Sequence, residues 1–475
     1  MATAVQNPLV EALNRLPILA PAQMDELPQL QEKFPHPRSL AKELLQREWL
    51  TAYQANQIFL GHADDLVLGH YLCLNKIGEG GMGQVFKARQ RPLNRIVALK
   101  VLRRDCMDNK KTVQRFQREI RAVGQLQHPH IVRAHNADEA VGLHYIAMEF
   151  IEGIDLARMV KRQGPLAIEP ALDFIRQAAL GLQHAHEAGL VHRDIKPANL
   201  IVATESGSSR SRSAKFRWGM VKVLDLGLAR IADPSEAALT VMGTVMGTPD
   251  FIAPEQALNP HDCDPRADLY SLGCTLYYLV AGRIPFPRGG VTEKLMAHQA
   301  ENPEPMATVR SARLMQESAK TGKRIDNAFC VVPTDVDAVV RKLMAKRPED
   351  RFQSAAELAH VIERVLARIT GDPMAVTQIA TLTSPSLTLT PLPAPVTMPM
   401  SEIFQPRPPS WQSMMKGKNP GAIVNVQLSK SSAGTATRWW LIGAACTVLI
   451  SAFILLNLGA GSRSRAAEAK VEYRK

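Results

Sequence analysis

Cysteine is scarce in this 475-residue chain. The six present (Cys73, Cys106, Cys263, Cys274, Cys330 and Cys446) are scattered, which excludes a disulfide framework, and no CxxC pair suggests a zinc site. A reducing compartment is the simpler expectation. Acidic residues are outnumbered, 45 against 57 Lys and Arg, for a formal net charge of +12. That balance points to nucleic acid, to an acidic membrane surface or to nothing specific, and its location has to decide. No secretory signal is expected, because Glu11, Asn14 and Arg15 interrupt the early apolar stretch. With 46% hydrophobic and 21% charged residues, the chain is not disordered throughout.

The first 68 residues read as short amphipathic helices. Leu40, Leu44, Leu45 and Trp49 recur near helical spacing, and Pro21, Pro28, Pro35 and Pro37 punctuate the segments. No catalytic constellation falls there, so a small helical packing module is expected. From Tyr71 the pattern becomes β-rich, and after about residue 154 it turns helical. A β-rich half followed by an α-rich half, over residues 69–369, predicts an α+β, two-lobed domain.

Residues 370–437 are rich in Pro, Thr and Ser and read as an unfolded linker. Within 438–461, the run from Trp439 to Ala460 carries no charge over 22 residues. At about 1.5 Å per residue it spans roughly 33 Å, enough to cross a hydrocarbon core of about 30 Å. Trp439 and Trp440 mark one edge, and Arg463 and Arg465 the other, so a transmembrane helix is expected there, followed by a short basic tail over 462–475.

The chemistry is concentrated between residues 78 and 255. Gly78, Gly80 and Gly83 punctuate a turn between two β-like runs, where a Cβ would obstruct close approach of backbone to phosphate. That context disfavours a dinucleotide fold, in which a helix would follow. Lys100 ends the strand-like Val97-Ala98-Leu99 and suits the α- and β-phosphates; Glu119, in the helical stretch from Thr112 to Gln127, is its candidate partner. In His192-Arg193-Asp194-Ile195-Lys196-Pro197-Ala198-Asn199, Asp194 can accept a proton from a hydroxyl, Lys196 can neutralise a γ-phosphate, and Asn199 offers an amide oxygen to Mg²⁺. Asp225, in Leu224-Asp225-Leu226-Gly227, adds a metal-binding carboxylate.

Together these motifs resemble the protein kinase family, in its eukaryotic-like Ser/Thr type found in bacteria, over roughly residues 70–367. The resemblance implies ATP and Mg²⁺ as cofactors. It places Gly78, Gly80, Gly83, Val85, Ala98, Lys100, Met148 (at the gatekeeper position), Glu149 and Ile151 around the nucleotide. Asp194, Lys196, Lys100 and Glu119 become catalytic, and Asn199 and Asp225 metal-binding. Asp268 resembles the aspartate that braces the catalytic loop, and Arg351 the buried partner of Glu255 in Ala253-Pro254-Glu255. Lys196, with Gly247-Thr248-Pro249, resembles the Ser/Thr pattern, which implies protein substrates with Ser or Thr.

Departures are few. The metal motif has Leu226 where the family has Phe, a basic Ser-rich loop is inserted at 204–219, and residues 302–334 are long. Arg193 before Asp194 implies control by phosphorylation of the activation loop, at Thr240 or Thr244, which dimerisation would serve. A catalytically dead kinase-like scaffold is the rival class, but such proteins lose the lysine, the catalytic aspartate or the metal aspartate, and all three are present.

The charge can then be placed. Residues 370–475 hold ten Lys/Arg against four Asp/Glu, whereas the first 69 hold five against eight. Acidic lipid thus explains the basic tail, and no nucleic acid is needed. The basic tail would by itself be kept inside. ATP and the large N-terminal part favour the opposite orientation, so the expectation is a single-pass, tail-anchored protein of the cell membrane with a cytoplasmic kinase domain.

Overall fold

The computed structural model describes residues 7–80, 83–104, 110–204, 218–226, 249–259, 263–322 and 327–371. Four short helices come first: α1 (Pro8–Arg15), α2 (Pro21–Lys33), α3 (Pro37–Gln46) and α4 (Ala52–Phe59). Proline at the first turn of α1, α2 and α3 costs no hydrogen bond there, and the side chains of Asn7 and Thr51 cap α1 and α4. Leu9, Leu13, Leu27, Leu40, Leu44 and Ile58 are buried together, and their cluster continues into Leu72 and Leu74 of the next layer. The expected helical module is therefore packed on the lobe that follows it.

That lobe is a six-stranded antiparallel sheet in the order β1-β2-β3-β4-β6-β5. The strands are β1 (Val67–Leu68), β2 (Tyr71–Gly80), β3 (Gly83–Gln90), β4 (Arg95–Leu102), β5 (Ala134–Ala140) and β6 (Leu143–Glu149). Side chains alternate between faces, so the register decides what meets what. Val85 pairs with Lys100, Lys100 with Ile146, and Ala98 with Met148, which puts all five on one face. The other face carries Phe86, Val97, Leu99, Val101, Tyr145 and Ala147, all buried in one cluster. Helix α5 (Lys110–Gln125) lies on the Lys100 side, where Phe116 packs with Leu102 and Ile146.

The second lobe is built on α7 (Ile168–Glu187) and α9 (Arg266–Ala281), both buried along most of their length. Around them stand α6 (Leu156–Gln163), α8 (Pro254–Leu258), α10 (Val291–Ala300), α11 (Met306–Thr321), α12 (Asn327–Cys330), α13 (Thr334–Leu343) and α14 (Ala355–Thr370). A small sheet, β7-β8-β9, joins this lobe to the first: β7 (Gly153–Asp155), β8 (Leu200–Ala203) and β9 (Met220–Val223). In α9, a Cβ at Gly273 would stand 2.6 Å from the Cβ of Leu343, so glycine sets how closely α9 and α13 approach.

The long segment at 302–334 forms α11 and α12, and Arg310 ties it down. Fully buried, Arg310 donates to the carbonyls of Leu166, Val280 and Phe329, each at 2.7 Å. The expected transmembrane helix and basic tail, the linker beyond Gly371, residues 205–217 of the basic insert and both candidate phosphorylation threonines lie outside the described residues. Among the described residues no helix is long and apolar enough to cross a membrane.

Candidate active site

The glycine turn is a hairpin in which Gly78 pairs with Val85 and Gly80 with Gly83. At Gly83, with φ +156°, a Cβ would fall 2.0 Å from the carbonyl oxygen of Val101, so no other residue fits. At Gly80 a Cβ would meet nothing within 4 Å. Among the described residues nothing fills that space, and open space is what a phosphate group approaching the backbone needs.

Beneath this hairpin, Val85, Ala98 and Met148 are half-buried on one sheet face with Lys100. Ile120, Val123, Val132 and Ile146 line an apolar recess with Met148, and Asp225 and Leu226 close it. Leu226, in place of Phe, is buried in the main core of the second lobe. Glu149 ends β6; its carboxylate accepts from Lys222 Nζ at 2.9 Å and from the Arg133 amide at 3.3 Å. Ile151 follows, half-buried, on the way to β7.

The turn after α7 carries the charged residues. Asp194 Oδ1 and Oδ2 accept from Lys196 Nζ at 3.0 and 2.7 Å. Asn199 Nδ2 donates to the Asp194 carbonyl at 2.7 Å and to Oδ2 at 3.1 Å, so the amide oxygen is what Asn199 has left to offer. The Asp194 amide donates to Nδ1 of His192, which leaves the His192 proton on Nε2, donating to the Leu224 carbonyl at 2.7 Å. The Leu224 amide in turn donates to the Asn199 carbonyl at 2.9 Å. Both backbone groups of Leu224 are thus held by the catalytic turn, which registers Asp225 against Asp194.

Asp225 itself has a left-handed backbone, φ 56°, as does Arg193, φ 66°. Such a conformation is costly for a residue with a Cβ and persists where the surroundings enforce it. The enforcement at Arg193 is visible: the carboxylate of Asp268 accepts the amides of His192 at 2.9 Å and Arg193 at 2.8 Å, and Gln256 donates to the Arg193 carbonyl at 2.6 Å. Burial alone would raise the Asp268 carboxyl, but the hydrogen bond and charge of His186, with His192, hold it below the usual carboxylate range.

Lys100 Nζ lies 2.8 Å from Asp225 Oδ1, and Glu119 is buried on α5. Burial raises the Asp225 carboxyl, yet the charge and hydrogen bond of Lys100, then His192 and Lys196, pull it below the ordinary value.

Two supports had no motif to announce them. Gln177, fully buried in α7, accepts from the Val221 amide at 2.8 Å and donates to the Gly219 carbonyl at 3.0 Å, which steadies β9 ahead of Asp225. His186 reaches Asp268 at 2.8 Å from the last turn of the same helix. Only a sense of which residues meet in space identifies either.

The protein kinase domain family matches residues 71–362, more than half of the chain. The chain belongs to the protein kinase family. A probable serine/threonine-protein kinase of Corynebacterium efficiens is 36% identical over 291 residues, 60% of this chain and 40% of that one. PknB of Mycobacterium tuberculosis is 36% identical over 293 residues, 61% of this chain and 42% of its own. Pkn3 of Myxococcus xanthus is 36% identical over 282 residues, 59% and 47%. The chain therefore spans less than half the length of these relatives. The two lobes and the cleft between them are those of a protein kinase: a sheet-rich first lobe carrying the glycine hairpin and Lys100, and a helical second lobe carrying Asp194, Lys196 and Asn199.

Proposed function

We propose that the chain transfers the γ-phosphate of ATP to Ser and Thr hydroxyls of protein substrates. The observation that carries this reading is the convergence of Asp194, Lys196 and Asn199 with Asp225 and Lys100 at the mouth of one cleft. The kinase relatives, named as Ser/Thr enzymes, support the substrate class.

Hard oxygen donors suit Mg²⁺, and the free amide oxygen of Asn199 and the ionised carboxylate of Asp225 are such donors. These two residues would hold the ion, which supplies positive charge to neutralise the phosphates. The chain's own residues do the rest. The glycine hairpin covers the phosphates with backbone, and Lys100 orients them. Asp194, its carboxylate aimed by Asn199 and Lys196, accepts the proton of the attacking hydroxyl. Lys196 offsets charge on the transferred group. Most of the rate enhancement in this scheme is positioning and electrostatics.

Regulation and location belong to the same reading. Phosphorylation of Thr240 or Thr244, between two copies of the chain, places a phosphate to meet Arg193. The apolar run at 438–461 tethers the kinase to the cell membrane with its catalytic lobes in the cytoplasm. Incubation with γ-labelled ATP and a generic protein substrate, followed by identification of the labelled residue, tests the activity. Label on Ser or Thr is expected; nucleotide binding with no transfer would favour a scaffold instead.

A further inference from the structure

The four N-terminal helices contain a repeat. Leu9, Leu13, Leu19, Gln23 and Leu27 recur as Leu40, Leu44, Leu50, Gln54 and Ile58, an offset of 31 positions. The structure repeats with them. Leu9 and Leu40 are buried on α1 and α3, Leu27 and Ile58 on α2 and α4, and the three leucines and the isoleucine share one core. Gln23 and Gln54 occupy the same place at the start of α2 and α4. Each accepts from the amide at its helix cap, Ala20 or Thr51, at 2.9 Å.

At the cap the copies differ: the second has Thr51 where the first has Ala20. Its hydroxyl accepts from the Gln54 amide at 3.1 Å and donates to the carbonyl of Leu74 in β2. Gln54, 2% exposed, donates from Nε2 to the carbonyl of Cys73 at 3.0 Å. The helix cap is thus also a clamp on β2.

The place it clamps is a weak point of the sheet. β1 covers β2 only at Tyr71 and Leu72, so from Cys73 onward no strand among the described residues lies on that edge. The register between β2 and β3 also shifts between Cys73 and Asn75, which makes Leu74 an extra, unpaired residue of a bulge. Beyond the bulge the same strand passes one more register shift, at Ile77, and reaches Gly78 and Gly80. We infer that Thr51 and Gln54 are positioning residues for the nucleotide site: the duplicated helical module fixes the base of the strand whose tip is the glycine hairpin. The inference rests on the proposed kinase reading for what the hairpin covers.

The test uses the full chain with Thr51→Val, Gln54→Leu and the pair. Amide hydrogen exchange of residues 75–80, affinity for a fluorescent ATP analogue, and kcat and KM for ATP are measured. Expected are faster exchange in β2 and a weakening of nucleotide affinity of roughly three- to tenfold, seen in KM with kcat little changed. Thr51→Ser keeps the hydroxyl and should match wild type. Gln23→Leu, at the equivalent position of the first repeat, should leave affinity unchanged. A folded Thr51→Val or Gln54→Leu protein with wild-type exchange and affinity would overturn the inference. Should the double variant not fold, the single variants read the same quantities. A wild type that binds nucleotide without transferring phosphate would overturn the kinase reading alone, because exchange and affinity need no transfer.

Discussion

Arg351 grips Glu255 with two parallel hydrogen bonds, Nη1 to Oε1 at 2.6 Å and Nη2 to Oε2 at 2.8 Å, across 96 positions of sequence. The guanidinium also donates to the carbonyls of Ala345, Arg266 and Lys346, so its donors are matched by acceptors although it is almost wholly buried. A fork of this kind is planar and rigid, and lysine cannot reproduce it. Glu255 opens α8, so the pair fixes the end of the segment that begins at Asp225.

Arg351→Ala should therefore leave a partly buried carboxylate without its cation and three carbonyls without a donor. A loss of about 3 kcal/mol or more in unfolding free energy is expected. Arg351→Lys should recover only part of it. Urea denaturation of both variants measures this, and a loss below about 1 kcal/mol in Arg351→Ala would contradict the packing described.

Asp268 links stability to pH. Its carboxyl is held below its unfolded value, so its contribution is complete above the ordinary carboxylate range near pH 4 and drains away as pH falls through the lower folded value. Asp225 follows the same sign. Asp268→Asn should lower stability at neutral pH by roughly 2 kcal/mol and flatten the dependence below about pH 4. Denaturation midpoints from pH 7 down to pH 3 check both statements.

Lys100→Met removes the cation nearest Asp225. The carboxyl of Asp225 should then rise toward its unshifted value, and phosphate transfer should fall by about a hundredfold or more, since an electrostatic contact of this kind acts on the reacting group. Circular dichroism should show the fold retained. Transfer at the wild-type rate would remove Lys100 from the mechanism.

Residues 438–461 make a separate prediction. Their deletion should move the protein from the membrane to the soluble fraction of a cell lysate with specific activity on a soluble substrate unchanged within about twofold, because no residue of the proposed mechanism lies there. Protein found soluble with the segment intact would contradict the tether.

Much of the site is legible in the sequence because its chemistry is local. Asp194, Lys196 and Asn199 lie within one turn, and a turn is short enough for spacing to carry meaning. The Arg351–Glu255 pair, although distant, was legible through resemblance. What the sequence did not reveal depends on three-dimensional neighbours. The contact of Lys100 with Asp225 joins residues 125 positions apart, and no spacing rule announces it. Gln177 and His186 support the site from ordinary helical positions with no spacing rule to mark them. The helical start of the chain was legible as helices, whereas its clamp on β2 depends on a bulge at Leu74 that no periodicity announces.

The central claim is that Asp194, aimed by Lys196 and Asn199, takes the proton of a Ser or Thr hydroxyl as phosphate is transferred. Transfer from γ-labelled ATP by wild type and by Asp194→Asn, at matched protein and saturating nucleotide, tests it most directly. Labelled Ser or Thr from wild type and a drop of roughly a thousandfold in the variant, with nucleotide affinity kept, is the predicted result. Transfer by Asp194→Asn at the wild-type rate would contradict it.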